Sequence, residues 1–155
     1  NYRDATDLMN TFGFETARWM GMPFTNHTRY VEVFLNGNYI GLYQLTEQIE
    51  VGGHRVDIDE DNGVLLAFDL DDGPGLSPGA TDNFYSEVYS MPMCVKNPDD
   101  PTAEQIAQIQ SDFAVLENAV KAKDFALVDS LLDVESFISM LQLQEYLYNK
   151  KYKHL

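Results

Sequence analysis

The stretch VEVFLNGNYIGLYQLTEQIE, residues 31–50, decides the fold. Val31, Val33 and Leu35 alternate with Glu32 and Phe34, so one face of an extended segment can be buried. Asn36-Gly37 supplies the two residues that tolerate positive φ in a tight hairpin turn, and residues 38–45 return along the first strand. The second strand runs straight into Thr46-Glu47-Gln48-Ile49-Glu50, so an aromatic, apolar segment ends in carboxylates. Glu47 is the residue there that needs a reason.

On the N-terminal side, residues 6–20 predict a helix with Leu8, Phe12, Glu15 and Trp19 on one side, ended by Gly21 and Pro23. On the C-terminal side, Gly52-Gly53 breaks the chain and residues 55–59 form a short extended piece. Residues 63–70 (GVLLAFDL) predict a strand whose nearly continuous apolar run suits a central place in its sheet. Residues 71–82 (DDGPGLSPGATD) are a loop by composition. Residues 84–89 and 91–96 predict two more strands joined by a tight link.

Asn97-Pro98-Asp99-Asp100-Pro101 punctuates the chain again, and Thr102 with Gln105 makes a capping box. Ile106, Ile109, Phe113, Leu116 and Val120 then recur at helical spacing. A short helix over 125–132 follows, and a last one from Val134 to about Asn149, capped by Asp133. The order helix, strands, helices gives an α+β class, a mostly antiparallel sheet with flanking helices. A length of 155 residues fits one domain, with a helix and sheet-rich part over 1–101 and a helical part over 102–155.

The chain carries 25 Asp and Glu against 10 Lys and Arg, a formal charge of −15. That argues against a nucleic-acid partner, which needs clustered cations to displace counterions from phosphates. The basic cluster Lys150, Lys151, Lys153 and His154 reads as a solvated tail. The sequence holds no apolar run long enough to span a membrane. Asn1 is neither an initiator Met nor the start of a leader, so the chain is expected to be a piece of a longer protein.

Cys94 stands alone, which leaves no internal disulfide and no cysteine zinc site and suits a small buried residue. His27, His54 and His154 are scattered and form no metal motif. The acidic loop from Asp57 fails the EF-hand pattern, with Asn62 where the glycine belongs and Phe68 where the bidentate Glu belongs. Weak calcium binding stays open for that loop and for Asp69, Asp71 and Asp72. Neither a Gly-rich phosphate loop nor a nucleophile elbow is present.

Three charged residues sit where partners are needed. Val134, Phe137, Ile138, Leu141 and Tyr148 mark the apolar face of the last helix, and at about 100° per residue Glu145 falls in the middle of it. A buried carboxylate must be paired or hydrogen-bonded. Glu145 therefore meets a structural partner such as an Arg or backbone amides, serves a site, or lies on a helix that is rotated from that face or frayed. Glu117 lies roughly 60° from the centre of the preceding helix's stripe, where a solvated flank residue is the ordinary outcome. Lys96 ends a strand just before Asn97-Pro98. A strand lysine paired with a carboxylate from the next helix is how protein kinases hold a lysine against nucleotide phosphates, and Lys96 with Glu117 has that order.

The run FLNGNYIGLYQLTEQIE followed by HRVDI resembles the signature of the CotH kinase family, the spore coat protein H-like proteins. That family shows an N-G-x-Y-x-G-x-Y-x-x-x-E segment and often an Arg soon after. Asn36, Gly37, Tyr39, Gly41, Tyr43, Glu47 and Arg55 occupy those places. DATDLMN with GMP is similar to the family's opening helix and GVLLAFD to its next strand. MPMCVKNPDD with LEN resembles its lysine strand and following helix, and DVESFISMLQLQEYLYN the helix leading to the catalytic loop.

The resemblance implies an atypical protein-kinase-like N-terminal lobe plus the first helix of the next lobe, binding ATP with magnesium. By position, Lys96 would face the phosphates and Glu117 would orient it. Glu47 would lie near the nucleotide side of the sheet, at a cleft, and Glu145 and Asn149 at the approach to the catalytic loop. Lys151 stands where many members carry an acidic residue, Met9 where an Arg is common, and the family's metal-binding aspartates are expected beyond Leu155. No metal ligand is therefore assigned within the chain.

The resemblance also implies a bacterial protein, exported or held at the cell surface. Two functions follow. One is a fragment of a kinase that phosphorylates a protein on the surface or coat, inactive by itself and needing the remainder of its own domain. The other is a non-catalytic module that assembles a coat or surface through protein contacts. In either case Val134, Phe137, Ile138 and Leu141 are expected to form an exposed apolar patch.

Overall fold

A computed structural model of the chain describes residues 8–68 and 82–147. In chain order the elements are α1 (Met9–Trp19), β1 (Thr28–Leu35), β2 (Asn38–Thr46), β3 (Leu65–Phe68), β4 (Asn83–Ser86), β5 (Met91–Asn97), α2 (Ala103–Ala122), α3 (Phe125–Leu131) and α4 (Val134–Tyr146). Helices flank sheets whose strand pairs are all antiparallel, so the α+β class holds. The described residues divide into two compact units, one of residues 8–49 with 138–147 and the other within residues 50–137. The end of the last helix is grouped with the N-terminal hairpin.

In the first unit, β1 and β2 pair from Thr28↔Thr46 to Leu35↔Asn38. Asn36 and Gly37 both take positive φ, +50° and +82°, which matches the turn to the twist of the strands. The register slips between Val33 and Phe34, whose partners are Gly41 and Tyr39, so Ile40 is the extra residue of a bulge. Gly41 has a φ of +130°, and a Cβ there would meet only Tyr43 Cε2 at 3.6 Å. The backbone angle, not space, calls for glycine at that place. Val31 and Val33 are half-buried, but Leu35 stays exposed.

Helix α1 does not bury the Leu8–Phe12–Glu15–Trp19 side. Its buried residues are Gly13 and Ala17, while Leu8, Phe12 and Trp19 stand open. The small residues allow close approach: a Cβ on Gly13 would lie 3.0 Å from Leu147 Cδ1. Polar side chains tie α1 to the hairpin. Thr11 Oγ1 lies 2.9 Å from the Tyr30 hydroxyl and accepts from Gln44 Nε2 at 2.6 Å. Gly21, at φ +74°, ends the helical turn, and Met22 N–H reaches back to Ala17 O at 3.0 Å.

The second unit is built on a three-stranded sheet of order β3-β5-β4. Central place belongs to β5, whose residues Pro92, Met93, Cys94 and Val95 are all buried. Among the described residues β3 is therefore an edge strand, not the central one its apolar run suggested. Only part of that run is used for burial: Leu66 packs on the core, whereas Val64 and Phe68 are exposed. Residues 87–90 turn back after β4 instead of extending it, with Ser90 at φ +54°. The expected extended piece at 55–59 is reduced to an isolated bridge between Val51 and Val56.

Phe84, Met93 and Val95 form the core, with Leu66, Ile106, Ile109 and Phe113 packed against it. Phe113 meets Phe84 edge-on, with ring centroids 6.2 Å apart. The capping box at α2 is present: Gln105 N–H donates to Thr102 Oγ1 at 3.2 Å, and Thr102 N–H donates to Gln105 Oε1 at 2.8 Å. Asp124 accepts from Leu127 N–H at 3.2 Å at the start of α3, and Asp133 from Ser136 N–H at 3.0 Å at the start of α4. Among the described residues no helix is long and apolar enough to cross a membrane.

Candidate functional site

Lys96 lies one residue from the end of β5. Successive side chains of a strand point to opposite faces. Met93 and Val95 face the core that α2 covers, so Lys96 falls on the other face, where it is exposed.

Glu117 is on the covered face. It is 4% exposed, a buried carboxylate where a solvated flank residue was the ordinary outcome. Its partner is Ser86, whose hydroxyl donates to Glu117 Oε1. Ser86 sits two residues after Phe84 on the same face of β4 and is itself buried. Its oxygen also accepts the Tyr89 N–H at 3.1 Å. Ser86 thus links the end of β4, the turn after it, and α2. Burial pushes the Tyr89 hydroxyl above its ordinary value, and the charge of Glu117 pushes it further the same way. No ion pair joins Lys96 to Glu117 among the described residues; the alternation of β5 puts the two on opposite faces of the sheet.

Glu47 closes the base of the hairpin. Its carboxylate accepts the His27 N–H at 2.7 Å and lies 3.2 Å from His27 Nδ1. Its backbone carbonyl accepts from Asn26 Nδ2 at 2.7 Å. The end of β2 is therefore clasped to the segment leading into β1, which gives the carboxylate at the end of an apolar strand a structural reason.

Glu145 is exposed on α4. The helix turns Leu143 inward, with Met140, Gln144 and Leu147 partly covered beside it, so it is rotated from the face its apolar residues marked. Phe137 and Ile138 remain at the surface, 36% and 47% exposed, while Val134 and Leu141 are half-buried. Asn149 and Tyr148 lie outside the described residues, as do Lys151, Asp69, Asp71 and Asp72.

Among the described residues no three His, Cys, Asp or Glu side chains converge as a metal site. In the acidic loop, Asp59 accepts from Asp61 N–H at 3.0 Å and from Asn62 N–H at 2.6 Å. These bonds hold a turn together, and the Asn62 amide, through its backbone and then its side chain, pulls the Asp59 carboxyl below its ordinary value. Arg55, the basic residue after the hairpin, pairs with Glu50. Among the described residues Lys96 is exposed, and no carboxylate group is assembled for a metal ion.

The family model described as CotH kinase protein matches residues 1–150. The chain belongs to the CotH kinase family. No curated protein and no solved structure matches it. Three residues of the CotH hairpin motif now have physical roles: Asn36 and Gly37 make the turn, and Gly41 sits opposite Val33 where the register slips. The partner of the buried carboxylate, Ser86, carried only a faint signal, its shared strand face with Phe84. His27, which meets Glu47, carried none.

Proposed function

We propose that this CotH-family chain is the nucleotide-facing part of a phosphotransferase domain, one that takes ATP with magnesium and phosphorylates a protein at the cell surface or coat. The observation that carries it is the family match over residues 1–150. Lys96, exposed at the end of the central strand, supports it as the side chain that meets the phosphates. Glu117 serves in this scheme by fixing α2 to the sheet through Ser86. Glu47 keeps the hairpin closed on the nucleotide side. Glu145 and Asn149 would, in this scheme, serve on the approach to the catalytic loop.

The test is calorimetric titration of ATP with magnesium into the full-length protein containing this chain, beside its Lys96→Ala variant. Lys96 is exposed and outside the core, so the variant should fold with stability within about 0.5 kcal/mol of the parent. Loss of ATP binding in a folded variant supports the assignment. Unchanged binding removes Lys96 from the phosphates.

A second reading has its own observation. Glu117 is engaged by Ser86 on the face opposite Lys96, so the kinase-type lysine–glutamate pair is not made. That favours a non-catalytic assembly module with the same fold. Absence of ATP binding in the full-length protein decides for it. In both cases the isolated 155 residues transfer no phosphate, and detectable transfer by them overturns that expectation.

A further inference from the structure

The chain holds two Asn-Gly pairs, Asn36-Gly37 at the tip of the hairpin and Asn62-Gly63 at the end of the acidic loop. Such a pair carries its own chemistry. A glycine nitrogen, with no Cβ beside it, can attack the side-chain carbonyl carbon of the asparagine before it. A carbon–nitrogen bond forms, the side-chain amide nitrogen leaves as ammonia, and a cyclic imide remains. Water then opens that ring at either carbonyl and gives aspartate or isoaspartate. Water alone is consumed and ammonia alone released. Both asparagines are exposed, so what separates them is how each following glycine is held.

At Asn62 the reacting groups are occupied. The nucleophile, Gly63 N–H, donates to the Asp59 carbonyl at 2.8 Å. The Gly63 carbonyl accepts from Asn97 Nδ2 at 2.6 Å, which ties this peptide to β5. Asn62 Nδ2 donates to Asp59 Oδ1 at 3.1 Å, and the Asn62 N–H donates to the same oxygen at 2.6 Å. Ring closure there must give up these bonds together. Asn36 is held by nothing comparable. Among the described residues neither its side-chain amide nor the Gly37 N–H has a hydrogen-bond partner. Leu35, Asn38 and Tyr39 around it are exposed, so opening the tip frees only the last rung of a ladder already open to water.

We propose that Asn36-Gly37 is the site at which the folded chain closes the cyclic imide and passes to aspartate and isoaspartate, while the Asp59 and Asn97 contacts hold Asn62-Gly63 back. Isoaspartate adds an atom to the main chain, so the product no longer fits the turn that pairs Leu35 with Asn38. The site stands independently of any nucleotide chemistry.

The experiment incubates the full chain in mildly alkaline buffer, folded and in urea, and follows the peptides carrying residues 36 and 62 by mass spectrometry. Isoaspartate in each peptide is read by labelling with an isoaspartyl methyltransferase. In the folded chain Asn62 should convert about ten-fold or more slowly than Asn36. In urea the two should convert at similar rates, because the reacting dipeptide is the same. Asn36→Gly, which keeps a residue that accepts positive φ, should leave the folded chain without label in the first peptide. Asn62 converting as fast as Asn36 in the folded chain overturns the proposal. So does an Asn36 that stays intact while folded but converts in urea, since the tip then does not open. A slow Asn62 in urea also overturns it, because the protection would then come from the local sequence and not from the fold.

Discussion

Ser86 of β4 donates its hydroxyl hydrogen to Glu117 of α2, and both side chains are buried. The bond spans 31 residues of sequence and fastens the longest helix to the sheet of its unit. Removing the serine hydroxyl leaves a buried carboxylate short of a donor. Ser86→Ala should therefore lower stability by about 1–3 kcal/mol, measured by urea unfolding. Ser86→Ala combined with Glu117→Leu should recover part of that loss, because no polar group is then stranded. A single mutant within about 0.5 kcal/mol of wild type would show that the bond is dispensable.

Tyr89 reports on the same carboxylate from outside. Its hydroxyl is pushed above the ordinary 10.0, first by burial and then by the charge of Glu117. A raised value in the folded state means that folding favours the proton. The associated stability is present below the ordinary tyrosine value and is lost as pH rises through the folded one. Alkaline titration followed by tyrosinate absorbance should show a late component that Tyr89→Phe removes. Glu117→Gln should bring it partway back, since the burial contribution remains.

The hairpin turn can be tested apart from the core. Gly37 has a φ of +82° and open space around its Cβ position, so alanine there meets no clash and only the backbone angle. Gly37→Ala should destabilise by about 1 kcal/mol, and Gly37→Asn by less, because Asn tolerates the left-handed region. If the order of the two variants is reversed, the turn is not held by its backbone angles.

Asp59 offers a pH prediction of opposite sign to Tyr89. The Asn62 backbone amide, then the Asn62 side chain, hold its carboxyl below the ordinary 3.8. Its contribution to folding is present above the ordinary aspartate value and is lost as pH falls through the lowered one. A carbon-detected NMR titration should place the Asp59 midpoint below the ordinary aspartate value. Asn62→Ala should raise that midpoint without abolishing the shift, because the backbone donor survives. An unmoved midpoint in the variant removes the side chain from the account.

Features written in adjacent residues were legible in the sequence. The Asn36-Gly37 turn, the Thr102–Gln105 box and the Asp133 cap each depend on a few neighbours, and each is found where the residues placed it. The family itself was legible through the hairpin motif. What misled was any inference about which face is covered. Helix α1 shows its larger apolar residues to solvent because Gly13 and Ala17 make the close contact. Glu145 fell on an apolar stripe, yet α4 turns Leu143 inward instead. The Lys96–Glu117 pair had the right order along the chain, but strand alternation sends the lysine to the other face. Each of these depends on partners far away in sequence, which no local period encodes.

The start of each of the last three helices is sealed from within three residues: Thr102 for α2, Asp124 for α3, Asp133 for α4. Such contacts close loops of a few residues and need no help from the sheet, whereas β3 must wait for β5. On a ribosome or after dilution from denaturant, the helical stretch can take its final outline early. The slow part of self-assembly then falls to the strands, and to the moment when Glu117 finds Ser86.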